Sequence, residues 1–208
     1  MKLKIALIFI FSLFSFSVQA GELDFVSQFK DQSWELNTKN LWITFGLLPV
    51  VFFHGVLLHE TSHLIMAKSL IPGGEITRFS PYPCRDNEGN FKFGYVSYEY
   101  PANIRPGNNI EIAFNVAPYV LDTSAFIVSD ILLSTKIIKP ERPAGAIVYL
   151  FGMVGPLVDF ASNFFSGKGD FQNIRDRTSG YAVNVVGGIM LGVGIIRLAQ
   201  HSYNIFWR

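Results

Sequence analysis

Leu41-Trp-Ile-Thr-Phe-Gly-Leu-Leu-Pro-Val-Val-Phe-Phe-His-Gly-Val-Leu-Leu-His59-Glu60-Thr61-Ser62-His63-Leu-Ile-Met66 is a run of 26 residues with a single charged side chain, Glu60. A hydrocarbon layer of about 30 Å is crossed by roughly 20 apolar residues in a helix, so this stretch predicts a membrane span. Inside it lies H-E-x-x-H. On a helix, positions i and i+4 share one face a turn apart, so His59 and His63 can hold one metal ion. Glu60 stands one residue round from His59, within reach of a water that such an ion activates, where it would act as general base. With four His and eight Glu in 208 residues, chance supplies about 0.003 such patterns. An ionisable cluster at membrane depth is costly and marks a functional candidate; the bland alternative is a His–Glu pair that serves helix packing. His54 lies five residues before His59, roughly 140° round a helix, and reads as a packing residue rather than a ligand.

Working outward, three further apolar stretches reach spanning length: Ile110–Ser134, Pro143–Phe165 and Tyr181–Leu198. Half of the chain is apolar, 15% is aromatic and only 16% is charged, well short of the ~25% usual in soluble domains. The composition excludes disorder, and the net charge of +1 excludes a basic field for nucleic acid. A lone cysteine, Cys84, can form no internal disulfide and no cysteine metal cluster, so any metal site draws on His, Asp and Glu. The fold expected is an all-α membrane bundle of about four transmembrane helices, residues 41–208.

Ahead of it, Lys2 and Lys4 precede a 14-residue apolar run, Ile5–Val18, and a small-residue exit at Ala20. That layout reads as a signal peptide over residues 1–20, with an uncleaved anchor as the alternative. Residues 21–40 then form an extracytoplasmic segment. With residue 21 outside, the inner connections hold eight Lys and Arg against six outside, in the sense of the positive-inside rule. A bacterial inner membrane is the expected location. Gly188 and Gly192 make a small-xxx-small pair that suggests close packing of the last span.

Two histidines need a third protein ligand. Depth ranks the acids of the other spans. His59 and His63 lie some 5–10 Å from the inner end of their helix, and Asp159 about 9 Å from its own. Asp122 is nearer 18 Å away, and Asp130 is further still. Depth favours Asp159. Glu111, Asn115, Pro118 and Asp122 share one helical face, which would look into the bundle. Asn115, level with the histidines, is a candidate for binding a substrate carbonyl, with interhelical bonding as the equal alternative. Asn163 follows Asp159 by one turn, either as a partner to it or as a boundary residue.

The connection 67–109 is the one sizeable polar region. Glu75-Ile-Thr-Arg-Phe-Ser and Phe91-Lys-Phe-Gly-Tyr-Val-Ser-Tyr-Glu-Tyr are rich in aromatic and β-branched residues, and Asp86-Asn-Glu-Gly-Asn between them is turn chemistry. A β-hairpin over the mouth of the site follows, either capping the bundle or capturing an unwound peptide by strand addition. Gly94 would let a peptide backbone approach closely.

H-E-T-S-H inside an apolar helix, a following hairpin and a later Asp in Gly155-Pro156-Leu157-Val158-Asp159 resemble the site-2 protease class of intramembrane zinc metalloproteases. The arrangement is also similar to small zincin peptidases related to that class, with Asn115-Val-Ala-Pro118 like their Pro-containing middle span. The resemblance covers about residues 41–165. It implies zinc held by His59, His63 and an Asp on a later span, at the position of Asp159, and cleavage of a membrane protein or peptide. Asn-Pro-Asp-Gly and Leu-Asp-Gly signatures are absent, since Leu121-Asp122 is followed by Thr123, so Asp159 and Asp122 both stay open. No PDZ or CBS module is visible. The alternatives are an inactive relative that holds a membrane partner, and a peptidase whose third ligand is Glu111.

Overall fold

A chain whose apolar side chains point in every direction round a helix cannot bury them all against itself, and α1 (Thr38–Leu70) has this character. In the computed structural model, which describes residues 35–70, 74–100 and 107–207, only 6% of its most apolar window is buried, and Trp42, Phe45, Phe53 and Ile65 stand exposed. Asn37 caps the helix by accepting the Asn40 backbone N–H at 3.2 Å. The segment proposed as a signal peptide lies outside the described residues, as does most of 21–40.

Further helices follow: α2 (Asn108–Ser134), α3 (Pro143–Tyr149), α4 (Gly155–Phe165), α5 (Asp170–Arg177) and α6 (Gly180–Phe206). A π-helical turn, Leu150–Val154, joins α3 to α4, so Pro143–Phe165 crosses as one unit. Pro156 donates no N–H and its ring crowds the preceding turn; the wide turn, closed by Gly155 N–H to the Leu150 carbonyl, accommodates it. Four helices are thus long and apolar enough to cross a membrane, and the protein is consistent with a multi-pass membrane protein. The last one runs to Phe206 rather than ending near Leu198, because Arg197 and His201 are buried against partners and do not stop it.

The expected hairpin is present and nested. Its base pairs β1 (Glu75–Ser80) with β4 (Tyr95–Glu99), antiparallel, with a bulge between Ile76 and Arg78. Its tip pairs β2 (Cys84–Arg85) with β3 (Phe91–Lys92). Asp86 closes the turn by accepting the backbone N–H groups of Glu88 and Asn90, and Gly89 takes the positive φ of +86° that the turn requires.

The described chain divides into two compact units, each drawing on parts of the long helices. One unit comprises residues up to Pro49, Asp122–Leu157 and Leu191 onward. Its core holds Leu133, Leu150, Met153 and Ile205 around a buried ionic cluster. Asp130 accepts from Arg197 Nε at 2.9 Å and faces His201 Nε2 at 2.7 Å, while Arg197 also donates to Ser134 Oγ at 2.6 Å and Gln200 Oε1 at 2.7 Å. The other unit, Val50–Leu121 with Val158–Met190, contains both histidines of the motif and the hairpin. Its packing is aromatic: Phe171 meets Tyr119, Phe160 and Phe164 at centroid distances of 4.4, 5.1 and 5.4 Å. Gly188 and Gly192 face open space; the tight glycines of α6 are Gly187, against the Phe164 ring, and Gly194, against Leu157.

Candidate metal centre

Helical spacing brings His59 and His63 together on α1, ring centroids 4.9 Å apart. Each imidazole is then oriented by a neighbour on another helix. His59 Nδ1 lies 2.8 Å from Asp159 Oδ2 on α4. His63 Nδ1 lies 3.1 Å from the Phe114 carbonyl oxygen on α2, whose ring also stacks on His63 at 4.4 Å. A carbonyl and a carboxylate only accept, so both Nδ1 atoms carry a proton, and in the neutral imidazoles both Nε2 atoms present lone pairs.

Those two Nε2 atoms converge, 3.2 Å apart, and Asp170 Oδ2 stands 3.0 Å from each. Three acceptor atoms at this spacing repel one another unless a cation lies among them. Protons on the Nε2 atoms satisfy the contacts to Asp170; a divalent ion satisfies all three contacts at once. His59, His63 and Asp170 together form a group with ligand atoms within 4.8 Å of one another, and two His with one carboxylate is a donor set that suits zinc. Burial raises the Asp170 carboxyl, but where the histidine Nε2 atoms carry protons their hydrogen bonds override it and hold the group well below the ordinary aspartate value. A metal ion would take the place of those protons and needs the carboxylate ionised.

The structure differs here from the depth ranking. Asp159 does come to the motif, but on the Nδ1 side of His59, the far side of the ring from the convergence point. It holds the ring as an outer carboxylate holds a metal-bound histidine. Asn163 donates to Asp159 Oδ1 at 3.2 Å and fixes it in turn. Asp170 was invisible to a ranking restricted to acids within spans, because it sits in the polar connection 166–180. A signal was there: Phe171 and Ile174, spaced as one helical face, follow an acid and precede Arg175 and Arg177, the charge order a short helix favours. Gly169, at φ +86° and ψ −156°, adopts backbone open essentially to glycine and turns the chain so that Asp170 begins α5.

Glu60 lies beside this group, in a cleft of about 220 Å³ lined by Phe52, Val56, His59, Phe93, Gly94, Asp159, Ser162 and Asn163. Gly94 lies against Glu60: a Cβ there would come within 2.5–2.8 Å of the Glu60 Cγ, Oε1 and Cδ atoms. Its missing side chain thus makes room for the acid itself. Asn115 does not line the cleft. It is buried, donates to the Glu111 carbonyl at 2.6 Å and accepts from Asn173 Nδ2 on α5 at 3.1 Å, the interhelical bonding expected as one of its two readings. Glu111 accepts from Tyr100 at 3.0 Å and pairs with Arg177 at 3.7 Å, away from the ligand group. Burial, with Tyr98 and Glu111 beside it, pushes the Tyr100 hydroxyl well above the usual tyrosine value, so it remains a donor. Asp122 belongs to the other unit, and His54 is exposed on α1 and outside the group.

Searches against protein-family models, curated proteins and solved structures return no match.

Proposed function

We propose that the protein is a membrane-embedded zinc-dependent endopeptidase, acting on a membrane protein or membrane-associated peptide in a bacterial inner membrane. One observation carries the reading: two imidazole Nε2 atoms and an ionised carboxylate converge within 3.2 Å beside a cleft that contains a glutamate. His59, His63 and Asp170 would hold the ion, which when bound supplies Lewis acidity and brings the pKa of water toward neutrality. Asp159 and the Phe114 carbonyl keep both Nδ1 protons in place and so direct both Nε2 lone pairs inward. Glu60, whose carboxylate is in the cleft, takes the proton of the attacking water and returns it to the leaving amine.

The hairpin supports peptide capture. β4 pairs with β1 on one edge only among the described residues, and Gly94 leads directly into it. A membrane helix satisfies its own backbone bonds, so it must unwind before hydrolysis, and an open strand edge stabilises the unwound chain. Phe52, Val56 and Phe93 make the cleft wall that an apolar side chain would meet.

The test combines zinc content with cleavage in protein purified from membranes. Wild type should carry one zinc per chain and Asp170→Ala none. Glu60→Gln should keep the zinc and lose cleavage by a factor of about 10² to 10⁴. Undiminished cleavage by Glu60→Gln would refute the mechanism, and zinc-free wild type that still supports its cellular role would favour a partner-holding protein.

A further inference from the structure

Asp170 belongs to none of the spanning helices, and it reaches the histidines only because α5 is seated. The seat has two parts. Phe171 and Ile174 are buried among the aromatic rings of the unit. The rest is polar and reaches three different helices. Asn173 Nδ2 donates to Asn115 Oδ1 on α2 at 3.1 Å. Arg177 faces Glu111 on α2 at 3.7 Å. Arg175 donates to the Phe164 carbonyl at the end of α4 at 2.6 Å, and to Asn184 Oδ1 on α6 at 2.8 Å. Asn115 can accept from α5 because its own amide N–H donates to the Glu111 carbonyl one turn back, which aims its oxygen outward at Asn173.

We infer that α5 is a ligand-bearing clip, and that the Asn115–Asn173 bond with the Arg177–Glu111 pair is the latch that sets how tightly the metal is held. The inference rests on the metal reading above and assigns Asn115, Asn173, Glu111 and Arg177 as positioning residues. The physical basis is linkage. Ordering the clip is a cost of metal binding unless the latch has already met it, so the latch and the ion stabilise each other. Asn173 is exposed, and alanine there favours the helix, which keeps folding and latch effects apart.

Zinc affinity of the full-length protein, measured by competition with a chromophoric chelator, reads the latch directly. Asn173→Ala and Asn173→Asp should each weaken zinc binding roughly three- to tenfold, the scale of one lost hydrogen bond. Asn173→Ala combined with Arg177→Gln should weaken it roughly 10- to 100-fold, as loss of outer-shell partners does. Asn173→Gln, which retains the donor, should recover part of the affinity. Gln172→Ala, whose amide bonds only Asp176 on the same helix among the described residues, should match wild type. Thermal stability of the metal-free proteins should be nearly the same throughout, and zinc should protect residues 166–179 from proteolysis more in wild type than in the double variant. Wild type binding one zinc with the double variant equal to it within twofold would overturn the latch while leaving the metal centre intact. Wild type binding no zinc would overturn both.

Discussion

At the scale of single residues, the two acids near His59 differ in which ring atom they meet, and that difference decides their chemistry. Asp170 faces Nε2 and Asp159 faces Nδ1. Asp170→Ala should therefore abolish stoichiometric zinc, whereas Asp159→Asn should retain it with affinity lowered about 10- to 100-fold, as loss of an outer-shell carboxylate does. Metal analysis of the two variants, dialysed against the same chelator, separates them. Gly94 offers a second test. A methyl group there meets the Glu60 side chain at 2.5–2.8 Å, so Gly94→Ala should shift the acid and depress turnover while leaving zinc bound. Equal cleavage rates for Gly94→Ala and wild type would show that the glycine is dispensable. The closeness of His59 and His63 was legible from spacing alone, because i and i+4 share a helical face whatever the surroundings. The tautomers were not, since they depend on what each Nδ1 happens to meet across the bundle.

At the scale of elements, the spans were legible from apolar length and the hairpin from aromatic and β-branched composition around a turn. The glycine contacts of α6 were not. A small-xxx-small pair describes a face, but only the neighbour determines which face is pressed. Gly188→Ala and Gly192→Ala meet nothing within 4 Å and should be neutral or stabilising by up to about 1 kcal/mol, the propensity difference from glycine. Gly152→Ala, by contrast, drives a methyl group into the Ser129 side chain in the core of its unit. It should destabilise by about 1–3 kcal/mol, as overpacking does. Thermal unfolding of the purified variants in one detergent checks the contrast, and equal midpoints would defeat it. The short helix α5 escaped notice because eight residues carry too little periodicity to stand out from a polar loop.

At the scale of the whole molecule, each unit buries a polar centre, and the two centres are opposite in kind. Around Asp130, a fixed cation and a histidine meet the carboxylate, with Ser134 and Gln200 completing the guanidinium's partners, while His201 Nδ1 is buried without a hydrogen-bond partner among the described residues. Around His59 and His63, two imidazole nitrogens and a carboxylate converge in a group that could hold a metal ion. The first centre should therefore be structural. Asp130→Asn leaves the Arg197 guanidinium buried without its counter-charge and should cost about 3–5 kcal/mol, while removing Asp130 and Arg197 together should cost less than Asp130→Asn alone. Unfolding in detergent measures both, with zinc content unaffected wherever the protein folds. A double variant less stable than Asp130→Asn would contradict the pairing.

Hydropathy and a helical period are properties of the chain read along its own axis, so the membrane class, the approximate spans and the face of α1 that carries both histidines could all be seen before any fold was known. Which acid completes that face could not. Asp159 and Asp170 are separated from the motif by about a hundred residues, and both arrive beside His59. Only the packing of α4 and the seating of α5 distinguish the carboxylate that steadies a ring from the one that shares its lone pair. Ligand choice is a matter of distances between remote segments, set when aromatic side chains such as Phe171 find their places, and no local pattern encodes it.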